Sequence, residues 1–473
     1  MSQLETFDVG TPTTSAGAAL VVQRLRDTFA SGRTRSVEWR LEQLDALNRM
    51  LVDAEAELMD ALAQDLGRPA MEAFAADLRG SGREIDDLRR HLRSWMKPER
   101  SKVPWIFRPA RATVEREPLG AVLVIAPWNF PVYLMLTPLA AALAAGNTVC
   151  CKPSEVAPAT SAALARWIPR YLDPAAVTVV EGGVPETTAL LEQRWDHILY
   201  TGNGTVGRIV AEAAAKHLTP VTLELGGKSP VIVDADANVK LAASRVAYAK
   251  WLNAGQTCIA VDHVYVHRDV EDEFVSAVES EIKRRYGSDP RASADFGRVV
   301  NSGHTQRIKN MLDAGGYQLV CGGQVDVEQR YVAPTVLRSV EPDAGVMQDE
   351  IFGPVLPVIG FDEIDEPIAA INTGDKPLAL YVFTDSDKSA ERVKAETSSG
   401  GLCINDVIIH IAVSSLPFGG VGESGYGAYH GKWGFDTFSH AKAVLERPTR
   451  YLDLPALRPP YKPWKLKLTR RFF

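Results

Sequence analysis

The chain has 473 residues, of which 46% are hydrophobic and 23% charged, a composition that fits a folded protein of two or three domains and excludes a largely disordered one. Its 52 Lys plus Arg against 59 Asp plus Glu leave a net charge of −7, which excludes a chain built to coat nucleic acid. Five cysteines (Cys150, Cys151, Cys258, Cys321, Cys403) with no Cys-x-x-Cys spacing indicate reduced thiols rather than a disulfide framework.

The N-terminus from Met1 to Asp8 carries acids and no apolar run, so no signal peptide is expected and a cytoplasmic protein is. Leu41, Leu44, Leu47, Leu51, Leu58, Leu62 and Leu66 recur at steps of three, four and seven, which predicts one long amphipathic helix opened by Ser36 and closed by Gly67 and Pro69. A second helical stretch over 71–96 stops at Pro98, with a bend expected at Gly80 and Gly82. After Pro118 the period changes. β-branched runs at 121–125, 148–151, 177–181, 197–201 and 221–225 alternate with Ala-rich helical stretches, which predicts an α/β fold with a doubly wound parallel sheet and ligands at the C-terminal strand edges. The apolar window 131–151 is broken by Pro138, Gly146 and Asn147 and reads as a buried helix plus strand, not a membrane span.

Beyond Gly227 the alternation resumes, with an apolar run at 230–233, a helix over 238–252, a strand over 263–267 and a helix over 269–285, a second α/β unit. Five glycines in 417–427 mark a loop or boundary. From Arg450 to Phe473 there are seven Lys or Arg and one Asp, so the rest of the chain carries about −13. Trp464 to Leu468 alternate apolar and basic. An anionic membrane surface is one expected contact for this tail, and a partner subunit or solvent is the other. The tail is too short and too charged to span a bilayer.

Gly202-Asn203-Gly204-Thr205-Val206-Gly207 follows a predicted strand and opens a helix, the glycine fingerprint whose amides receive a pyrophosphate, with a tight ligand-free turn as the alternative. Glu224 falls near the spacing at which such a fingerprint expects an acid on the ribose, but it sits in its own glycine-flanked motif. Inside an apolar strand, burial would raise its pKa and make it a usable base; the competing reading is a salt bridge with Lys228. Cys258 lies in a glycine-containing turn, as an accessible nucleophile or as core, and Cys321 and Cys403 also neighbour glycines. No Cys/His clustering points to a metal.

Pro127-Trp128-Asn129-Phe130-Pro131, Lys152-Pro153-Ser154-Glu155, Glu224-Leu225-Gly226-Gly227-Lys228, Gly255-Gln256-Thr257-Cys258, Glu350-Ile351-Phe352-Gly353-Pro354 and Pro417-Phe418-Gly419-Gly420, in that order, resemble the aldehyde dehydrogenases. The run from Ala428 to His440, with Cys403-Ile404-Asn405-Asp406-Val407, is similar to the class 3 branch, whose members take fatty and aromatic aldehydes and are typically dimers. The resemblance implies that Cys258 is the nucleophile, Glu224 the general base, and Asn129 with the Cys258 N–H the donors to the alkoxide. It implies NAD, with NADP possible, held by Trp128, Lys152, Glu155, the turn Gly202, Asn203, Gly204, Thr205, Val206, Gly207, and by Glu350 and Phe352. His430 is a class 3 feature, read as a packing or hydrogen-bonding residue.

By the same likeness, 1–99 with 118–226 form the NAD(P)-binding domain, 227–417 the catalytic domain, 100–117 with 418–445 a bridging and oligomerisation element, and 446–473 the basic tail. Nicotinamide-dependent oxidation of medium- to long-chain or aromatic aldehydes to carboxylic acids is the implied function, in a homodimer that takes no nucleic acid. Cys258 and Glu224 could also make and break an acyl thioester without hydride transfer, so a cysteine-dependent esterase is the alternative.

Overall fold

The computed structural model describes residues 15–450 and 458–472. The expectation for Met1 to Asp8, and the parts of the basic tail at 451–457 and 473, lie outside the described residues. Ser36 caps the helix Val37–Asp53 by accepting a hydrogen bond from Trp39 N, and Gly67 closes Glu55–Leu66 in the left-handed conformation that a residue without Cβ takes most easily. The single long helix expected here is two, joined at Ala54 (φ −92°, ψ −3°), within the seven-residue gap between Leu51 and Leu58. The second stretch is irregular earlier than expected: a π turn over Ala73–Leu78, not Gly80 or Gly82, separates Ala70–Glu72 from Arg79–Trp95. Gly80 is small for another reason, since a Cβ there would come within 3.1 Å of the Tyr133 ring.

A six-stranded sheet runs in the order Gly425–Tyr426, Val221–Glu224, His197–Thr201, Ala121–Ile125, Thr148–Lys152, Val177–Val179. All its pairs are parallel except the first. Strands apolar on both faces are what a sheet covered by helices on both sides needs, and Ala121–Ile125 and His197–Thr201 are buried throughout. The chain moves outward from Ala121–Ile125 to Val177–Val179 and then returns to the other side for His197–Thr201. The topological switch point lies between those two strands, so the default ligand crevice is where Ala126–Asn129 and Gly202–Gly204 leave the sheet. Helix Tyr133–Ala145 is buried from Leu134 to its end, as the window 131–151 predicted.

The second sheet has seven strands in the order Gln318–Cys321, Thr335–Arg338, Val355–Phe361, His263–His267, Pro230–Val233, Ala379–Phe383, Gly401–Ile404, parallel except at Gln318–Cys321. A third, antiparallel sheet joins Glu99–Ser101, Arg111–Pro118 and Ser439–Glu446. The glycine-rich segment expected as a loop supplies a strand: Gly425 pairs with Glu224, and a Cβ at Gly425 would lie 1.9 Å from Leu223 O. The alternating tail segment is a helix, Pro463–Phe472, with Trp464 and Leu466 about half exposed and Lys465 buried. Among the described residues no helix is long and apolar enough to cross a membrane.

Candidate active site

Cys258 stands where the second sheet meets the first. Helix Val239–Trp251 ends in a turn that takes Asn253 (φ 52°) and Ala254 (φ 51°) into the left-handed region, where a side chain costs about 1–2 kcal/mol per residue. Side chains hold that strain in place. Asn253 Nδ2 donates to Gln256 O (3.1 Å) and to Asn129 O (2.9 Å), and Gln256 Nε2 donates to Asn253 O and Arg298 O (2.9 Å each). Gly255 (φ 77°) lets the turn press on the next loop, where a Cβ would fall 2.3 Å from Gly353 O. Burial, then the neighbouring Glu350 and Glu224 carboxyls, push the partly exposed Cys258 thiol up to about 12, against a smaller pull from the Cys258 and Ile259 amides. The ligand-free protein therefore holds a thiol. The thiolate expected of the nucleophile needs a cation, and none of the described residues places one beside the sulfur.

Glu224 ends the strand Val221–Glu224 and is 2% exposed. Neither carboxyl oxygen has a hydrogen-bond partner among the described residues, and burial alone raises its pKa well above the carboxylate range. The salt bridge with Lys228 does not form. Lys228 Nζ lies 2.6 Å from Asp262 Oδ2 and donates to the carbonyls of Val346 and Asp349. Lys228 has a buried acid with two other hydrogen-bonded groups to serve, so Glu224 is left bare.

Asn129 follows the central strand Ala121–Ile125 into the crevice and is 3% exposed. Its Nδ2 donates to Gln256 O (3.1 Å), two residues before the thiol, which leaves the second N–H of the amide for another acceptor. Phe130 packs with Tyr133, Leu134, Leu252 and Ile408 in an apolar cluster beside it. Trp128 meets Phe352 edge-on (5.3 Å) and His304 (5.0 Å). Glu350 lies over Gly226, where a Cβ would fall 2.1 Å from its Oε2, and accepts from the Gly227 amide; burial, then Asp262, push it up to about 8. Cys258, Glu224, Glu350, Asn129, Trp128 and Phe352 thus gather at one junction.

Lys152 and Glu155 sit apart from them, one strand over, at the C-terminal edge of Thr148–Lys152. Lys152 Nζ is buried between Pro153 O (2.8 Å) and Glu155 Oε2 (3.3 Å), while the Glu155 side chain is 50% exposed. In the fingerprint, Asn203 caps helix Gly204–Ala215 and its Oδ1 takes the Val206 amide (2.9 Å), leaving the Gly204 and Thr205 amides at the helix end. Gly207 serves packing, since a Cβ would lie 2.9 Å from Leu225 Cδ2.

A dinucleotide fits these groups: the exposed Glu155 and the partly buried Glu350 for two ribose diols, a helix N-terminus for a diphosphate, and two apolar rings beside the thiol. No group of three or more His, Cys, Asp or Glu able to hold a metal occurs among the described residues.

His430 (φ 82°, 1% exposed) has Glu84 Oε2 at 3.5 Å and Tyr133 Oη at 3.4 Å from Nδ1 and stacks on Tyr429, a hydrogen-bonded packing position. The thiol of Cys403 lies 3.2 Å from His410 Nδ1, Cys321 is in an edge strand, and Cys150 and Cys151 are buried in the first sheet. Sequence reasoning missed Asp262, whose Oδ1 accepts from Ile351 N (2.9 Å). Burial would raise its pKa, yet Lys228 and then His263 hold it well below the carboxylate range. It ties the Gly227–Lys228 turn to the Glu350 loop, and nothing in the flanking sequence marks a lone acid for that task.

A family model described as the aldehyde dehydrogenase family matches residues 10–444. Aldehyde dehydrogenase family 3 member A2 of Rattus norvegicus is 46% identical over 452 residues, 95% of this chain and 93% of that protein. Among solved structures, the substrate-bound state of Staphylococcus aureus AldH is 40% identical with a TM-score of 0.94, covering 96% of this chain and 99% of that one. Mycobacterium tuberculosis aldehyde dehydrogenase complexed with NAD+ is 28% identical with a TM-score of 0.83, covering 93% and 92%.

Proposed function

Because the chain belongs to the aldehyde dehydrogenase family and so oxidises aldehydes with a nicotinamide cofactor, we propose that Cys258 is its nucleophile, Glu224 its general base and Asn129 an oxyanion donor. The observation that carries the reading is a buried carboxyl with two bare oxygens in the same pocket as the raised thiol. The Cys258 thiol gives its proton to solvent as its sulfur attacks the carbonyl carbon, and the carbonyl electron pair moves to oxygen, where the free Asn129 N–H and the Cys258 amide donate to it. Losing one such donor costs about 3 kcal/mol of transition-state stabilisation. When bound, the cofactor supplies the hydride acceptor and a positive charge beside the sulfur. Glu224, once its own proton has passed to solvent, takes a proton from the water that opens the acyl thioester and hands it to the departing sulfur, so the acid leaves as the thiol is restored. NAD turnover separates this reading from the esterase alternative, which the family membership does not favour. Cys258→Ala that still reduces NAD+ with an aldehyde would move the nucleophile elsewhere.

Lys152, Glu155, the turn 202–207, Trp128, Glu350 and Phe352 hold the cofactor, and the Glu155 charge disfavours the extra phosphate of NADP. The cluster Phe130, Tyr133, Leu134, Leu252 and Ile408 beside Asn129 suits medium- to long-chain or aromatic aldehydes. The division into 1–99 with 118–226, 227–417, and the bridging 100–117 with 418–445 is supported by the three larger of the four sheets among the described residues, with Gly425–Tyr426 returning to the six-stranded one. The exposed strand Ser439–Glu446 at the edge of the small sheet supports pairing into a homodimer. A cytoplasmic location is supported by five free cysteines. The helix Pro463–Phe472, with exposed Trp464 and Leu466 among Lys467, Arg470 and Arg471, contacts anionic membrane surfaces weakly. Unchanged co-sedimentation with anionic vesicles after deletion beyond Tyr461 would remove that last reading.

A further inference from the structure

Beneath Asn129 lies a polar network that the chemistry above does not use. Arg68, in the short link between helices Glu55–Leu66 and Ala70–Glu72, and Asp77, on the π turn Ala73–Leu78, form an ion pair whose side chains are both 0% exposed. The Arg68 guanidinium spends its other contacts on the site. One nitrogen donates to Asn129 O, Nε donates to Asn253 Oδ1 (3.2 Å), and the plane lies 4.4 Å from the Phe130 ring centroid. Asn253 Nδ2 donates to Asn129 O and to Gln256 O, and its backbone N–H donates to Glu72 Oε2 (2.9 Å). Asp77 Oδ1 accepts from the amides of Val132 (3.1 Å) and Tyr133 (3.0 Å), so the same carboxylate fixes the chain just beyond Asn129. The planar fork of arginine is the side chain that can meet three differently directed partners at once.

We propose that Arg68 and Asp77 are positioning residues, a buried pair that sets the Asn129 amide and the strained 253–256 turn in the mutual relation that presents the oxyanion donor to the carbonyl bound at Cys258. The proposal rests on the reading of Asn129 as that donor. A pair kept only for stability would contact helix backbone or solvent. This pair instead spends its hydrogen bonds on the residue that carries the donor, on the turn that leads to the sulfur, and on the two amides that follow Asn129.

The test is a double-mutant cycle on the full chain with NAD+ and benzaldehyde, reading kcat beside NAD+ affinity from tryptophan fluorescence. Arg68→Lys keeps the charge and loses the fork. It is expected to lower kcat on the order of 10²-fold, the effect of about 1 Å of misplacement, with NAD+ affinity unchanged. In an Asn129→Ala background the same change is expected to cost no further kcat, because both act through one donor. Should Arg68→Lys not fold, Asp77→Asn, which keeps an oxygen for Val132 and Tyr133, carries the same cycle. Losses that multiply, a fall in NAD+ affinity matching that in kcat, or full kcat in Arg68→Lys or Asp77→Asn each overturn the proposal while leaving Asn129 as donor. Full kcat in Asn129→Ala removes the donor itself, and the proposal with it.

Discussion

Burial raises the pKa of both the Cys258 thiol and the Glu224 carboxyl, and each shift has a measurable signature. With the Cys258 thiol at about 12, alkylation by iodoacetamide is expected to rise close to tenfold per pH unit from pH 7 to 9 without a plateau, measured against Cys258→Ala as the blank. NAD+ should accelerate it at pH 7 by placing a cation beside the sulfur. A plateau near pH 7 without cofactor would mean the sulfur is already ionised. For Glu224, the folded pKa lies above the unfolded one. Its proton therefore stabilises the fold fully at low pH, and that contribution is lost as pH rises toward the folded value. Glu224→Gln carries no such loss, so the difference in melting temperature, variant minus wild type, should grow from pH 5 to pH 8 while a trapped acyl adduct on Cys258 appears by mass spectrometry. Cys258 and Glu224 could be singled out because glycines flank them in motifs. Arg68, Asp77 and Asp262 could not, because their importance lies in partners 55 to 185 positions away in the chain or, for Asp262, in a lysine and a loop that only the fold brings to it.

At the level of elements, legibility followed burial. Strands with two covered faces read as continuous apolar runs, and the predicted 121–125, 197–201, 230–233 and 263–267 match the observed bounds residue for residue. The small sheet was invisible because Glu99–Ser101 is fully exposed and Ser439–Glu446 nearly so, leaving no apolar period to find. The π turn was missed because its cause, the pull of Asp77 onto Arg68 and the start of helix Tyr133–Ala145, is tertiary. Gly425 gives a test at this scale. Gly425→Ala forces a Cβ against Leu223 O in a residue at φ 118°, so the edge strand should detach from Val221–Glu224. The expected outcome is a kcat loss of at least tenfold, with deacylation slowed more than acylation, and a melting temperature lowered by several degrees for a strain on the order of 1–3 kcal/mol. Pre-steady-state traces showing an unchanged burst followed by a slower steady state would establish that split; equal slowing of both phases would refute it.

At the scale of the molecule, the proposed dimer predicts that Leu445→Arg, which places a charge on an apolar residue 61% exposed in the edge strand, shifts light-scattering mass from dimer to monomer. An unchanged mass would send the interface elsewhere. Glu224 ends a strand of the six-stranded sheet, whereas Cys258 lies in the turn that leads into His263–His267 of the seven-stranded one, so the site exists only while the two sheets keep their relative placement.

The contact of Gly255 with Gly353 has a bearing on redesign. One loop precedes the sulfur and the other carries Phe352, and with only hydrogen atoms between their backbones neither can be lengthened, shortened or rebuilt by itself. Attempts to retune this catalyst for other aldehydes should leave that double-glycine rivet alone and vary the apolar rim around Ile408, whose far side opens toward solvent at Ile409 and Val413.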